Sequence, residues 1–258
     1  MSHPNPRNIL IVGGGDGGVL REVCRHPNVT KITLVEIDEM VIDVAKRFFG
    51  DSTATSFDDE RVTCVHEDAA EFLKQLNANN KSGGDGGGVP KEKYDVIIAD
   101  SSDPVGPAET LFDPAFYEQM NEALNENGII CAQGECFWTN PDLIANVVAC
   151  CADVFDTVEY ASTYVPTYPC GQIGFVVAGK GNSSNGIEYN LCRPNRELTD
   201  ELQSQLKWYN GAIHRASFVL PQFLEERLAP LRPQSIYDED DEEEDDHADC
   251  FAIPCSIM

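Results

Sequence analysis

Residues 95 to 104 read DVIIADSSDP, and the run Val96, Ile97, Ile98, Ala99 is apolar with no polar residue alternating through it. A strand with one wet face alternates, whereas an unbroken apolar run of strand length is covered on both faces, as in a parallel sheet flanked by helices. Asp100, Ser101, Ser102, Asp103 and Pro104 then stop the run. In an open α/β sheet the carboxyl ends of the strands face the ligand crevice, so Asp100 and Asp103 are candidates to project into a site suited to a positively charged amine. Asp and Ser after a strand also make ordinary turns and helix caps. Position alone does not separate these two readings.

The remaining pattern repeats the same unit. Asn8 to Val12 is apolar and runs directly into the glycine-rich GGGDGG at 13 to 18, then a helical pattern from Val19 to Arg25. A second strand, Ile32 to Val35, ends at Glu36; Asp38 is placed to cap a helix reaching about Phe49, with Met40, Val41, Val44, Ala45 and Phe48 at helical spacing. A third strand, Val62 to Val65, ends near Asp68, and Glu71 to Leu76 reads as a helix. Residues 78 to 93 are glycine-rich without apolar period and read as a flexible surface insertion. Strands at Tyr94 to Ala99 and Gly128 to Gln133 follow, with helices from Pro114 to about Leu124 and from Pro141 to Cys151. Val158 to Tyr164 and Gln172 to Ala178 are joined by VPTYPCG, too short for a helical crossover, and so should pair antiparallel. The expected fold is α/β: a doubly wound, mostly parallel seven-stranded sheet with a terminal antiparallel hairpin. Short helices are expected over 199 to 230.

Composition narrows what such a sheet can bind. The formal charge is -26 over 258 residues, and Asp238 to Asp246 are nine consecutive acids. That balance argues against nucleic acid, whose phosphates require basic patches, and suits cationic ligands. A solvated acidic tail accounts for much of the excess. Residues 1 to 232 thus read as one catalytic domain and 233 to 258 as a disordered acidic tail. No apolar run approaches the roughly 20 residues that span a bilayer. The ten cysteines include no CxxC pair, and the N-terminus lacks a signal-peptide pattern, which points to reduced thiols and a cytoplasmic protein. With no HExxH and no paired Cys/His spacing, no metal is expected. Cys255 to Met258 fits the short C-terminal prenylation pattern, but acids precede it where bases would assist membrane binding, and it reads as a free tail.

GGGDGG satisfies GxGxxG, and Glu36 follows at the interval of an acid that takes ribose hydroxyls. The pattern fits a nicotinamide dinucleotide, an adenosyl-sulfonium compound, or a close helix-strand turn with no ligand. Asp16 favours the sulfonium, because an acid inside the loop repels a pyrophosphate and attracts a cation. Asp68 is placed either to meet an adenine edge or to cap the next helix. Asp16, Asp100 and Asp103 around one crevice would raise one another's pKa until a cation such as a diamine arrives. One carboxylate would act as base on the attacking amine while the others anchor its distal ammonium. Attack on a methylene beside the sulfonium then needs orientation and field more than covalent help.

GGGDGGVLRE at 13 to 22, VEID at 35 to 38, DSSDPVGPAETLF at 100 to 112, QGEC at 133 to 136 and PTYPCGQIGF at 166 to 175 together resemble the polyamine aminopropyltransferase family, most closely its spermidine-forming branch. The resemblance runs from HPNPR at 3 to 7 to HRASFVLP at 214 to 221. It implies a Rossmann-like, class I methyltransferase fold and transfer of an aminopropyl group from decarboxylated S-adenosylmethionine to putrescine, with that donor as co-substrate and no cofactor. It also implies that Asp100 accepts the proton, that Asp103 holds the diamine, and that Tyr168 packs along the amine chain. Asp16, Glu36 and Asp68 would meet the donor's aminopropyl end, ribose and adenine. Gln133 would line the site, and Ala69, where the family usually has glycine, would alter backbone approach to the adenine. Members of the family carry a small β-rich domain before HPNPR that supplies a glutamine and a tyrosine and contributes to dimerisation. Here Met1 stands two residues before that motif, so the resemblance implies weak or no turnover by this chain alone. A homodimer, or pairing with a full-length member as an inactive partner, is the associated expectation. Putrescine N-methyltransferases share DSSDP and the fold, but Gln133, Gly134, Glu135 and Gln172 fit the aminopropyltransferases better.

Overall fold

The computed structural model describes residues 1–82, 92–101, 111, 113–181 and 189–233. Its seven strands are β1 (Asn8–Gly13), β2 (Lys31–Val35), β3 (Val62–Val65), β4 (Tyr94–Asp100), β5 (Leu124–Gln133), β6 (Thr157–Tyr164) and β7 (Gln172–Gly179). They form one sheet in the order β3-β2-β1-β4-β5-β7-β6. The first five are mutually parallel, and β7 runs antiparallel to both β5 and β6. The expected class and terminal hairpin are both present; the sequence did not reveal that β7 would insert between β5 and β6.

Both faces of the sheet are covered, which is why the strands read as continuous apolar runs. Leu10, Val12, Ile97 and Ala99 point to one face, where α3 (Ala69–Ser82), α4 (Pro114–Ala123), α5 (Pro141–Ala152) and α8 (Gln222–Leu228) supply Leu73, Phe116, Met120, Val148 and Leu224. Ile9, Ile11, Ile32 and Leu34 point to the other, against Leu20 of α1 (Gly18–Cys24) and Ile42 and Ala45 of α2 (Glu39–Phe49). The chain winds outward through β2 and β3, then crosses back to place β4 on the other side of β1. This reversal opens a crevice at the carboxyl ends of β1 and β4. The remaining short helices, α6 (Asp200–Gln205) and α7 (Gly211–Ala216), come after the hairpin.

Two elements differ from expectation by more than one residue. The third helix, α3, begins at Ala69 and continues to Ser82, where the sequence suggested 71 to 76 and a flexible insertion from 78. Buried Asn77 explains the extension, because its Nδ2 donates to the Gln119 backbone oxygen at 3.0 Å and to Gln119 Oε1 at 2.8 Å, docking α3 on α4. Asn80 then exchanges two hydrogen bonds with the Glu92 backbone, closing the segment onto the start of β4. Residues 83 to 91 of the expected insertion lie outside the described residues, as do 234 to 258 of the acidic tail. The fifth strand, β5, starts at Leu124, four residues early, by way of an irregularity in its pairing with β4 between Tyr94 and Val96 and a left-handed Asn127.

Candidate functional site

The first strand cannot continue straight into a helix, because the loop between them must pass close to β4. Gly13 sits at φ 75° opposite Asp100 in the ladder, and a Cβ there would lie 2.3 Å from the Asp100 backbone oxygen. That oxygen instead accepts the Gly14 N–H at 3.0 Å. Only glycine allows this approach, and it brings the loop carrying Asp16 alongside the Asp100 carboxylate. The side chain of Asp16 accepts from the Gly18 N–H at 2.9 Å, turning the chain into α1.

Two adjoining cavities meet at Asp100 and Ser101. One, of about 350 Å³, runs between the ends of β1, β2 and β3, with Glu36, Asp68 and Ala69 set among apolar Val12, Val35 and Leu111. The other, of about 420 Å³, is lined by Gly14, Gly15, Asp16, Gln133 and Tyr168 in addition to the two shared residues. Neither cavity has a lysine or arginine among its described lining residues, so the acids are not neutralised from within. An apolar slot with acids at its polar end suits a nucleoside, and the open acidic chamber beside it suits a flexible cation.

Burial pushes the Asp100 carboxyl above the usual carboxylate range, and the charges of Asp16 and Glu36 push it further. A raised pKa makes a carboxylate a better proton acceptor. Glu36 is buried, with Oε1 accepting from the Asp38 N–H at 3.1 Å, while Asp38 caps α2 through the Met40 N–H. Asp68 caps α3, its Oδ1 accepting from the Ala70 and Glu71 N–H groups, and the residue also lines the apolar cavity.

Of the residues singled out in the sequence, Asp100, Asp16, Gln133 and Tyr168 thus converge on the acidic chamber, and Glu36, Asp68 and Ala69 on the apolar one. Asp103 lies outside the described residues. Ser101, Ile37, Val41, Glu67 and Leu111 also line these cavities and were missed. Ile37 carried a usable signal, since an apolar residue directly after the acid that ends a strand lies beyond the core and needs some other apolar neighbour.

Comparison with known proteins places this geometry among relatives. Residues 1–187 match the family described as Spermine/spermidine synthase domain. A spermidine synthase of Dictyostelium discoideum is 44% identical over 228 residues, covering 88% of this chain and 72% of that protein. A spermine synthase of Arabidopsis thaliana is 43% identical over 229 residues, covering 88% of this chain and 60% of that protein. A crystal structure of spermidine synthase with the transition-state analogue AdoDATO superposes with a TM-score of 0.70 at 31% identity, over 89% of this chain and 71% of that one. The spermidine synthase of Thermotoga maritima gives 0.69 at 30% identity, over 89% and 70%.

Proposed function

The chain belongs to the spermine/spermidine synthase family, and from that premise we propose that it transfers an aminopropyl group from decarboxylated S-adenosylmethionine to putrescine. The observation that carries the proposal is the pair of cavities sharing Asp100. The donor's nucleoside occupies the apolar one, with Glu36 taking ribose hydroxyls and Asp68 near the base. The diamine occupies the acidic one, with Tyr168 and Gln133 along its chain and Asp103 as a second anchor. Asp100 takes a proton from the attacking ammonium, and the freed amine forms a C–N bond to the methylene beside the sulfonium. The C–S bond breaks with its electron pair going to sulfur, which leaves spermidine and neutral methylthioadenosine. Both substrates arrive as cations, and the field of the carboxylates holds them and orients the nucleophile.

The relatives' names include both spermidine and spermine synthases at nearly equal identity, and the chain spans 60% to 72% of the lengths of those two proteins. Acceptor choice is therefore part of the proposal. The test is release of methylthioadenosine by purified protein given the donor with putrescine or with spermidine. Putrescine should be the faster acceptor, and Asp100→Asn should lower kcat about 10²- to 10⁴-fold, the usual contribution of a positioned base. Activity with S-adenosylmethionine in place of the decarboxylated donor would favour methyl transfer instead. We place the protein in the cytosol, supported by eight described cysteines that are all free thiols. Among the described residues no helix is long and apolar enough to cross a membrane. The assembly is proposed to be a homodimer or a pair with a full-length member, to be checked by sizing chromatography.

A further inference from the structure

Gln133 reaches the acidic chamber from the last position of β5, and the chain leaves that strand through an unusual turn. Glu135 is one of two described non-glycine residues with positive φ, at 59°. A left-handed residue without glycine is strained and persists only where its surroundings hold it. Here they do so from β6 and β7. Gly134 N–H donates to the Gly174 oxygen at 2.8 Å, and Gly174 N–H donates back to the Glu135 oxygen at 2.7 Å. The same Glu135 oxygen accepts the Tyr160 hydroxyl at 2.8 Å. On the next residue, Cys136 Sγ donates to Gln172 Oε1 at 2.9 Å.

Tyr160 is fully buried, and its ring lies across Gly174 so closely that a Cβ at that glycine would fall 1.8 Å from the hydroxyl oxygen. The glycine in β7 therefore clears the space through which a buried tyrosine of β6 reaches the turn after β5. A hydroxyl there is not needed to fill the core, since phenylalanine would pack the same ring.

We infer that Tyr160 is a positioning residue for amine recognition: through the Glu135 carbonyl it fixes the left-handed turn that aims Gln133 into the acidic chamber. This inference rests on the aminopropyl-transfer reading of that chamber. Tyr160→Phe keeps the ring and removes one hydrogen bond. It should raise KM for putrescine about 5- to 10-fold, the equivalent of one neutral hydrogen bond, while leaving KM for the donor and methylthioadenosine affinity unchanged. In a Gln133→Ala background the same substitution should have no further effect on KM, because the two residues act in series.

An active wild type whose putrescine KM is unmoved by Tyr160→Phe overturns the inference and leaves the reading intact. Equal losses for donor and amine, or effects that simply multiply with those of Gln133→Ala, overturn it too, since they mark a general structural role. A wild type that neither turns over putrescine nor binds it by calorimetry fails the reading, and the inference falls with it.

Discussion

Asp100 is the last residue of a buried strand, and a buried carboxylate is held at a cost that catalysis can use. Its pKa is raised by desolvation first and by Asp16 and Glu36 next, so the folded protein binds this proton more tightly than the unfolded chain does. The stability contribution is therefore unfavourable above the folded pKa and is relieved as pH falls toward the ordinary aspartate value of about 3.9. Asp100→Asn should raise the Tm at neutral pH although it removes the base, and the gain should shrink on acidification. Calorimetric melts of both proteins across pH 4 to 8 would check it. In activity, the same direction predicts that kcat/KM for putrescine rises with pH through a group titrating above the usual carboxylate range, and that Asp100→Asn abolishes this limb. Asp100 and Glu36 were legible in the sequence because each stands where an apolar run stops, and Asp16 because it interrupts the glycine loop. Tyr160 was not, because an aromatic inside a strand pattern reads as core, and only the fold reveals that its hydroxyl touches the turn beside Gln133.

At the scale of elements, the strands and the glycine turn could be read because burial on both faces leaves no polar residue within Ile9 to Val12 of β1 or Val96 to Ala99 of β4. The C-terminal half of α3 could not. Asn77, Asn79, Asn80, Lys81 and Ser82 carry no apolar period, and what makes them helical is a docking bond from buried Asn77 to α4. Sheet order beyond β5 was likewise hidden, since insertion of β7 between β5 and β6 is a non-local pairing that local pattern does not encode. Asn77→Ala removes two hydrogen bonds to Gln119 in a buried place and should lower the unfolding free energy by about 1–3 kcal/mol, measured by urea denaturation. Because Asn77 is not among the residues lining either cavity, kcat and both KM values at low temperature should stay at wild-type levels. A change in donor KM would mean that α3 transmits its docking to the Asp68 cap.

For the whole molecule the dominant fact is charge. The chain carries a net charge of -26, and the described lining of its crevice has acids and no bases, so a cation approaching from solvent is drawn toward the place where it reacts. Much of that charge lies in the Asp238 to Asp246 run, whereas Asp16, Glu36, Asp68 and Asp100 line the cavities themselves. Salt acts on charges according to their burial and their distance from the ligand. Exposed charges farther than about 8 Å from the ligand are screened at physiological ionic strength, and half-buried neighbours are screened much less. Raising ionic strength from about 20 mM to about 300 mM should therefore increase KM for putrescine by about tenfold at most, through slower encounter, and leave kcat nearly constant. Methylthioadenosine, which is uncharged, supplies the control: its Kd should barely move over the same range. If its Kd and the putrescine KM shift together, salt is acting on the fold, and the carboxylates are not steering the substrate.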